Sequence, residues 1–281
     1  MTIRRMTIDD LPLGLGLSRQ AGWNQTESDW RRFINMEPEG CFVAELDGSP
    51  VGTTTTCVFG HQVAWIAMVL VDKNVRGRGI GTGLLEHALD YLKERKVGTI
   101  RLDATPAGRP IYEKLGFVPE YELARFEGAC CVPRAAYRVA ERRTLNAERT
   151  RDIIEFDRRM TGTDRAKMLS RLFEEFPELV RCVMQGRKVE GYVAGRPGAN
   201  AIQVGPCIAT VSAGSSLLSD ALSKCVGKPV FVDIPLDNVR AVKIAESSDL
   251  KVQRCFTRMC LGERINDNVQ AIWSSSGPEK G

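Results

Sequence analysis

Val69-Leu70-Val71-Asp72-Lys73-Asn74-Val75-Arg76-Gly77-Arg78-Gly79-Ile80-Gly81-Thr82 joins two segments of opposite character. Before it, Val63 to Val71 is continuously apolar around Trp65, the pattern of a strand buried on both faces. After it, Gly83 to Lys96 sets Leu84, Leu85, Ala88, Leu89 and Leu92 on one stripe with Glu86, Asp90 and Lys93 opposite, the pattern of an amphipathic helix. A glycine-rich turn from strand to helix presents several backbone N–H groups to one point, and the helix adds its positive end. Arg76 and Arg78 bring formal charge to the same loop, which therefore reads as a seat for a pyrophosphate. The plainer alternative is a solvated turn.

Two familiar phosphate loops do not fit. The dinucleotide pattern Gly-x-Gly-x-x-Gly fails because Gly77 and Gly79 lead to Thr82, and Gly79 and Gly81 to Leu84. The nucleoside-triphosphate pattern needs a closing Gly-Lys-Ser/Thr, and none occurs. What fits is Arg-x-x-Gly-x-Gly at Arg76, Gly79 and Gly81. One helix and one strand later comes Asp103-Ala104-Thr105-Pro106-Ala107-Gly108-Arg109-Pro110-Ile111-Tyr112-Glu113-Lys114-Leu115-Gly116-Phe117. In that order the two motifs resemble the paired signatures of the GNAT N-acetyltransferase superfamily. The superfamily often has Asn and Ala where this chain has Thr105 and Gly108.

The resemblance implies acetyl-coenzyme A as co-substrate and no metal. Backbone groups of Val69 and Val71 would hold its pantetheine and thioester. Arg76, Gly77, Arg78, Gly79, Ile80, Gly81 and Thr82 would seat the pyrophosphate, and Gly108 would add to the cofactor site. Tyr112 matches the tyrosine that donates to the sulfur; otherwise it is a core residue wedged by Phe117. Direct attack by an amine needs an oxyanion site, a proton acceptor and an acid for the departing thiolate. Many members carry a glutamate on the strand read here as Val63 to Val71, but this strand has no carboxylate. Asp103 at the end of the next strand is one candidate base, a water relay is another, and Asp103 equally suits a turn cap.

Upstream, Thr2 to Met6 reads as a strand, and Leu13 to Ala21 and Glu27 to Met36 as helices, the second capped by Thr26 or Ser28. The loop between them bears Trp23 and Asn24, which form either an acceptor wall or a hydrophobic staple. Cys41 to Leu46 and Val51 to Val58 flank an Asp47-Gly48 turn and read as a hairpin. The order predicts an α/β fold on a mixed sheet.

No periodicity is strong from Glu122 to Asn146, which places a domain junction there, with domains at 1–135 and 136–281. The second half repeats the first. Gln185-Gly186-Arg187-Lys188-Val189-Glu190-Gly191 parallels Asp47 to Gly52, and Asn238-x-x-Ala241-x-x-Ile244 parallels Thr105-x-x-Gly108-x-x-Ile111. Its loop, Thr210 to Ser215, has one glycine and no arginine, and Ala245 stands where Tyr112 would be. The chain thus resembles two-domain GNAT proteins with a degenerate second domain that covers the acceptor cleft. Asp157, Asp164 and Arg165 would then either recognise a polar substrate or merely start a helix.

Composition is that of a soluble globular protein, 43% hydrophobic and 26% charged, and no apolar run is long enough for a membrane span. The N-terminus turns acidic at Asp9-Asp10, so a cytosolic protein is expected. A net charge of +4 permits a phosphorylated ligand but is no nucleic-acid footprint. Nine scattered cysteines without C-x-x-C, and two histidines, argue against a disulfide framework or a structural zinc. The function expected is acetyl transfer to a primary amine of a small molecule. Its rivals are a non-catalytic acyl-coenzyme A-binding module and a protein lysine acetyltransferase.

Overall fold

A computed structural model of the chain describes residues 1–130 and 145–281. The boundary expected between 135 and 136 lies outside the described residues. The first half holds β1 (Thr2–Arg5), α1 (Leu11–Gln20), α2 (Glu27–Met36), β2 (Cys41–Leu46), β3 (Ser49–Phe59), β4 (Val63–Val71), α3 (Ile80–Glu94), β5 (Thr99–Ala104), α4 (Arg109–Lys114) and β6 (Val118–Ala129). The second holds α5 (Ala147–Thr161), α6 (Ala166–Glu175), β7 (Arg181–Gln185), β8 (Lys188–Arg196), β9 (Ile202–Ala209), α7 (Val211–Ser223), β10 (Pro229–Pro235), α8 (Val239–Ser247), β11 (Lys251–Gly262) and β12 (Ile272–Ser274). No helix among the described residues is long and apolar enough to cross a membrane.

All strands join one mixed sheet in the order β1-β2-β3-β4-β5-β11-β6-β10-β9-β8-β7, with β12 set against β9. The centre of that order departs from two consecutive domains. Strand β11 leaves the second half to pair with β5 of the first, Thr257 opposite Ala104, while β6 leaves the first to pair with β10. Each half thus lends its last long strand to the other. The segment read as an aperiodic junction from Glu122 to Asn146 opens within β6, and its residues 131–144 lie outside the described ones. The middle of β6, Leu123 to Phe126, is buried and includes Arg125, so neither alternation nor an apolar run marks it.

Helices α1, α2, α5 and α6 cover one face and share a single core, in which Trp30 and Phe33 belong to the same cluster as Ile153, Phe156 and Tyr192. On the other face α3 and α7 each pack a separate core. The α2 start is fixed by Thr26, whose N–H and hydroxyl both donate to Asp29 Oδ2, at 2.9 and 3.0 Å.

One local feature positions the site. The parallel pair β4–β5 is joined only from Val63–Trp65 to Thr99–Arg101; beyond that the strands part. A bulge in β4, where Thr53 and Thr55 face Leu70 and Ala67, puts Met68 at φ 53° in the diverging section.

Candidate active site

The glycine-rich turn seats α3 as its residues suggest. Gly79 takes the N-cap position at φ 76°, and Gly77 lies at φ 78°, conformations costly for residues with a Cβ. Asp72 holds the start of the loop, accepting from Asn74 N at 2.8 Å and from Gln20 Nε2 of α1 at 2.8 Å. Arg76 folds back so that its Nε donates to Val71 O at 3.0 Å, which engages one of the backbone groups expected to face pantetheine.

From this helix end a cavity of about 690 Å³ runs through the parting of β4 and β5. Val69, Val71, Arg76, Gly77, Gly79, Ile80, Gly81 and Thr82 line it, as do Gly108, Tyr112, Asp103 and Trp23. The exposed Arg78 is not among the lining residues. Segments distant in sequence therefore meet around one space, on a helix N-terminus suited to an anion.

Tyr112 stands on α4 with its ring edge-on to Phe117, 5.9 Å between centroids. Burial pushes its hydroxyl up to about 12, so it stays protonated at neutral pH. Gly108 sits under the ring: a Cβ there would lie 3.0 Å from Tyr112 Cε2. The departure from alanine at this position thus leaves room for the tyrosine.

Asp103 lines the cavity but is not a free carboxylate. Both its oxygens accept from Arg258 of β11, Oδ1 from Nε at 2.8 Å and Oδ2 from Nη2 at 2.9 Å. Arg258 in turn lies over the Trp65 ring, 4.7 Å from its centroid. Burial pushes the Asp103 carboxyl up against the pull of Arg258. The pair fixes the borrowed strand to β5, and Asp103 would have to break it to take a proton.

Four of the candidate acceptor residues lie outside the cavity lining. Asn24 is fully buried away from the cavity lining and clamps the two halves together. Its Oδ1 accepts from Asn200 N at 2.9 Å and Ala201 N at 3.0 Å, and its Nδ2 donates to Ala201 O at 3.0 Å. Asp157 and Arg165 form a buried pair, with Arg165 Nε donating to Asp157 Oδ2 at 3.0 Å. Arg165 Nη1 also donates to the main-chain oxygen of Gly281 at 2.6 Å, and Tyr192 donates to Asp157 at 2.6 Å. Asp164 is exposed and accepts from Ala166 N at 3.1 Å, a helix-start role. None of Asp157, Asp164 and Arg165 lines the large cavity.

The lining also includes residues that the sequence does not single out: Gln25, Arg125, Arg254, Phe256, Pro278 and Glu279. Arg125 is bidentate to Asp233 at 2.8 Å through both Nε and Nη2 and lies over the Phe231 and Phe256 rings. Pro278 is held by the Trp65 indole, whose Nε1 donates to its carbonyl at 2.9 Å. Burial alone would raise the Glu279 carboxyl, but Lys280 and Arg196 beside it hold it down at about 2. Only Gln25, two residues from Trp23, had a local signal; the others arrive through strand exchange and the segment after β12.

The second half has the same parting, between β9 and β10, whose pairing is confined to Ile202–Gln203 against Val230–Phe231. There β12 pairs along β9, with Ile272 opposite Ile208. The fully buried Trp273 donates to Ala209 O at 3.3 Å and presses on α7 where Gly214 leaves space; a Cβ at Gly214 would run into its ring. The chain itself thus fills the second slot.

Comparison with known proteins agrees with this geometry. The acetyltransferase (GNAT) family model matches residues 12–117, and a model described as an acetyltransferase (GNAT) domain matches residues 153–274. The chain is 28% identical over 215 residues to holothin acyltransferase of a Pseudoalteromonas species, covering 76% of this chain and 71% of that one. It is 24% identical to the uncharacterised N-acetyltransferase YitH of Bacillus subtilis, over 80% of this chain and 78% of the relative. Among solved structures, a Pyrococcus horikoshii protein assigned as an acetyltransferase superposes over 100% of this chain and 95% of its own, with TM-score 0.85 and 25% identity. A GCN5-related N-acetyltransferase of Sphaerobacter thermophilus shares the fold, with TM-score 0.64 and 15% identity over 95% of this chain and 98% of its own.

Proposed function

The chain belongs to the GNAT acetyltransferase family, as a tandem of two such folds, and on that premise we propose that its first half transfers acetyl from acetyl-coenzyme A to a primary amine of a small molecule. What carries this reading is the continuity of one cavity. The αL glycine and helix end of α3, Tyr112, and residues of the other half all line it.

The residues fit the co-substrate. Gly79 and Gly81 leave the α3 N-terminus open to a pyrophosphate, with Arg76 beside it, and the parted strands leave room for an extended pantetheine arm. Bound acetyl-coenzyme A supplies the acetyl group as a thioester. In the proposed reaction the amine nitrogen forms a bond to the acetyl carbon as the carbon–sulfur bond breaks, both substrates being held together. Tyr112 delivers its hydroxyl proton to the departing sulfur and regains one from solvent. The amine's proton leaves to solvent in the cavity, because Asp103 is held by Arg258. A small acceptor is favoured because the second half walls the cavity, leaving little room for a folded protein surface. Degeneracy of the second half follows from the filled slot at Trp273 and from Ala245 at the acid's position.

The test is calorimetric titration of acetyl-coenzyme A into the full chain and into a Gly79→Val variant. One equivalent is expected on the native chain, with affinity at least about tenfold weaker in the variant, where a β-branched residue is forced to φ 76°. Absence of binding to the native chain would overturn the acetyltransferase reading; unchanged affinity in the variant would remove the loop from the cofactor site.

A further inference from the structure

The charged side chains lining the large cavity are Arg76, Asp103, Arg125, Arg254 and Glu279. The protein itself neutralises most of them: Asp103 pairs with Arg258, Arg125 with Asp233, and Glu279 with Arg196 and Lys280. Arg76 belongs to the glycine-rich loop. Arg254 is left over. Its Nε donates to the neutral Gln253 side chain at 3.0 Å, and neither Nη1 nor Nη2 has a hydrogen-bond or carboxylate partner among the described residues. Arg254 is half-buried, and its terminal nitrogens are not sealed from the open space it lines. The acids whose charge reaches it are already engaged: Asp233 accepts from Arg125 and Gln203, and Glu127 accepts from Gln253 at 2.6 Å.

Its place in the fold explains the surplus. Strand β11 pairs with β5 only from Thr257 onward, so Arg254 lies beyond the end of β5 and stands opposite Arg125 of β6 in register. Like charges directly opposite in a sheet destabilise it. Burial and the charge of Arg125 push the Arg254 guanidinium down from its usual value. An anion in the cavity relieves both costs.

We propose that Arg254 binds a carboxylate of the acceptor, so that the substrate of this site is an amine that also carries a carboxylate. The assignment rests on the acetyltransferase reading above and names its substrate class. A guanidinium presents paired N–H donors that match the two oxygens of one carboxylate, and the terminal nitrogens of Arg254 are those without protein partners. One unpaired cation calls for one negative charge. Trp23 and Phe256, in the same lining, suit the carbon skeleton of an organic acid. Holding the acceptor by its carboxylate leaves the amine nitrogen to lose its proton and attack the acetyl carbon.

The probes are L-phenylalanine and 6-aminohexanoate, with a short and a long spacing from amine to carboxylate, each beside its own primary amide. They are titrated into the full-length protein with saturating coenzyme A, so that no turnover occurs. At least one acid is expected to bind about 10- to 100-fold more tightly than its amide, the range for hydrogen bonds between charged groups. Arg254→Gln should abolish that preference, and comparing the variant with the native chain cancels the difference in amine basicity between acid and amide. The substitution breaks no ion pair, so the variant should fold; Arg254→Met is a second uncharged replacement of similar length should it not. Neither acid preferred over its amide, or a preference that survives in the variants, overturns the assignment. Coenzyme A affinity should be the same in native and variant chains; a loss of about tenfold or more would place a cofactor phosphate on Arg254 and overturn it equally. Failure of the native chain to bind coenzyme A sinks the acetyltransferase premise as well, whereas coenzyme A binding without acid preference sinks the carboxylate site alone.

Discussion

Asn24→Ala is expected to loosen the joint between the halves and leave the acetyl-transfer site intact. The Asn24 side chain makes three hydrogen bonds to Asn200 and Ala201, between 2.9 and 3.0 Å, and is fully buried. At about 1 kcal/mol net for each bond, their loss costs about 3 kcal/mol. For a chain of this size that lowers the melting temperature by roughly 6–12 °C. Scanning calorimetry reads the shift, and acetyl-coenzyme A titration with steady-state kinetics on an amine acceptor shows whether the site is spared. A second variant makes the reasoning stricter. Gly198 has no room for a side chain because a Cβ there would meet Asn24, so Gly198→Ala strains the same contact. The two substitutions should be markedly non-additive, the double variant being more stable than the summed losses imply. An unchanged melting temperature together with a raised KM for the acceptor would refute the clamp and return Asn24 to the acceptor wall.

Three further outcomes follow from the site. Tyr112→Phe should lower kcat by about 10²–10⁴-fold while acetyl-coenzyme A affinity holds, and an unchanged rate would make Tyr112 a packing residue against Phe117. Because its hydroxyl lies at about 12, the acid is lost only as pH rises through that value, so any fall in kcat between pH 7 and 10 should persist in the variant. Gly108→Ala should cut kcat severalfold with little change in melting temperature, since the new methyl 3.0 Å from Tyr112 Cε2 displaces the ring; equal kcat would show that the ring tolerates the shift. Glu279, held at about 2 against an ordinary 4.5, contributes stability that is present above pH 4.5 and lost as pH falls toward 2. Urea unfolding from pH 6 to 2 should show that loss in the native chain and less of it in Glu279→Gln; identical slopes would remove Glu279 from the acid transition.

The glycine-loop half of the candidate site was legible in the sequence because it is local. Arg76, Gly79 and Gly81 sit within one strand-to-helix turn, and Gly108 and Tyr112 within one short helix, so backbone demands and chemistry appear in adjacent residues. The rest of the cavity lining was not, because it is assembled over long separations. Phe256 and Arg254 reach the first half only when β11 inserts beside β5, and nothing within Lys251–Gly262 announces which sheet the strand will join. Asp157 and Arg165 illustrate the opposite error. Two charges eight residues apart near a helix end suggest a polar contact, and there is one, but they spend it on each other and on Gly281. Sequence shows that a buried charge needs a partner; it does not say whether that partner is a ligand.

The segment after β11 connects the filled slot and the open one. Trp273 occupies the second half's parting beside Ala209, and only a few residues later Pro278 and Glu279 stand in the wall of the first half's cavity. Asn238, which caps α8, anchors the near end, donating to Ile272 O at 3.0 Å, and Arg165 and Trp65 hold the far end through Gly281 and Pro278. The second fold, whose slot Trp273 fills, still completes the first: it supplies the strand beside β5, the arginines that restrain Asp103 and Glu279, and part of the cavity wall. Loss of the signature residues in that half is what this arrangement requires, because a working pyrophosphate turn and an open parting there would leave Trp273 without a seat and the Glu279 wall without its anchor.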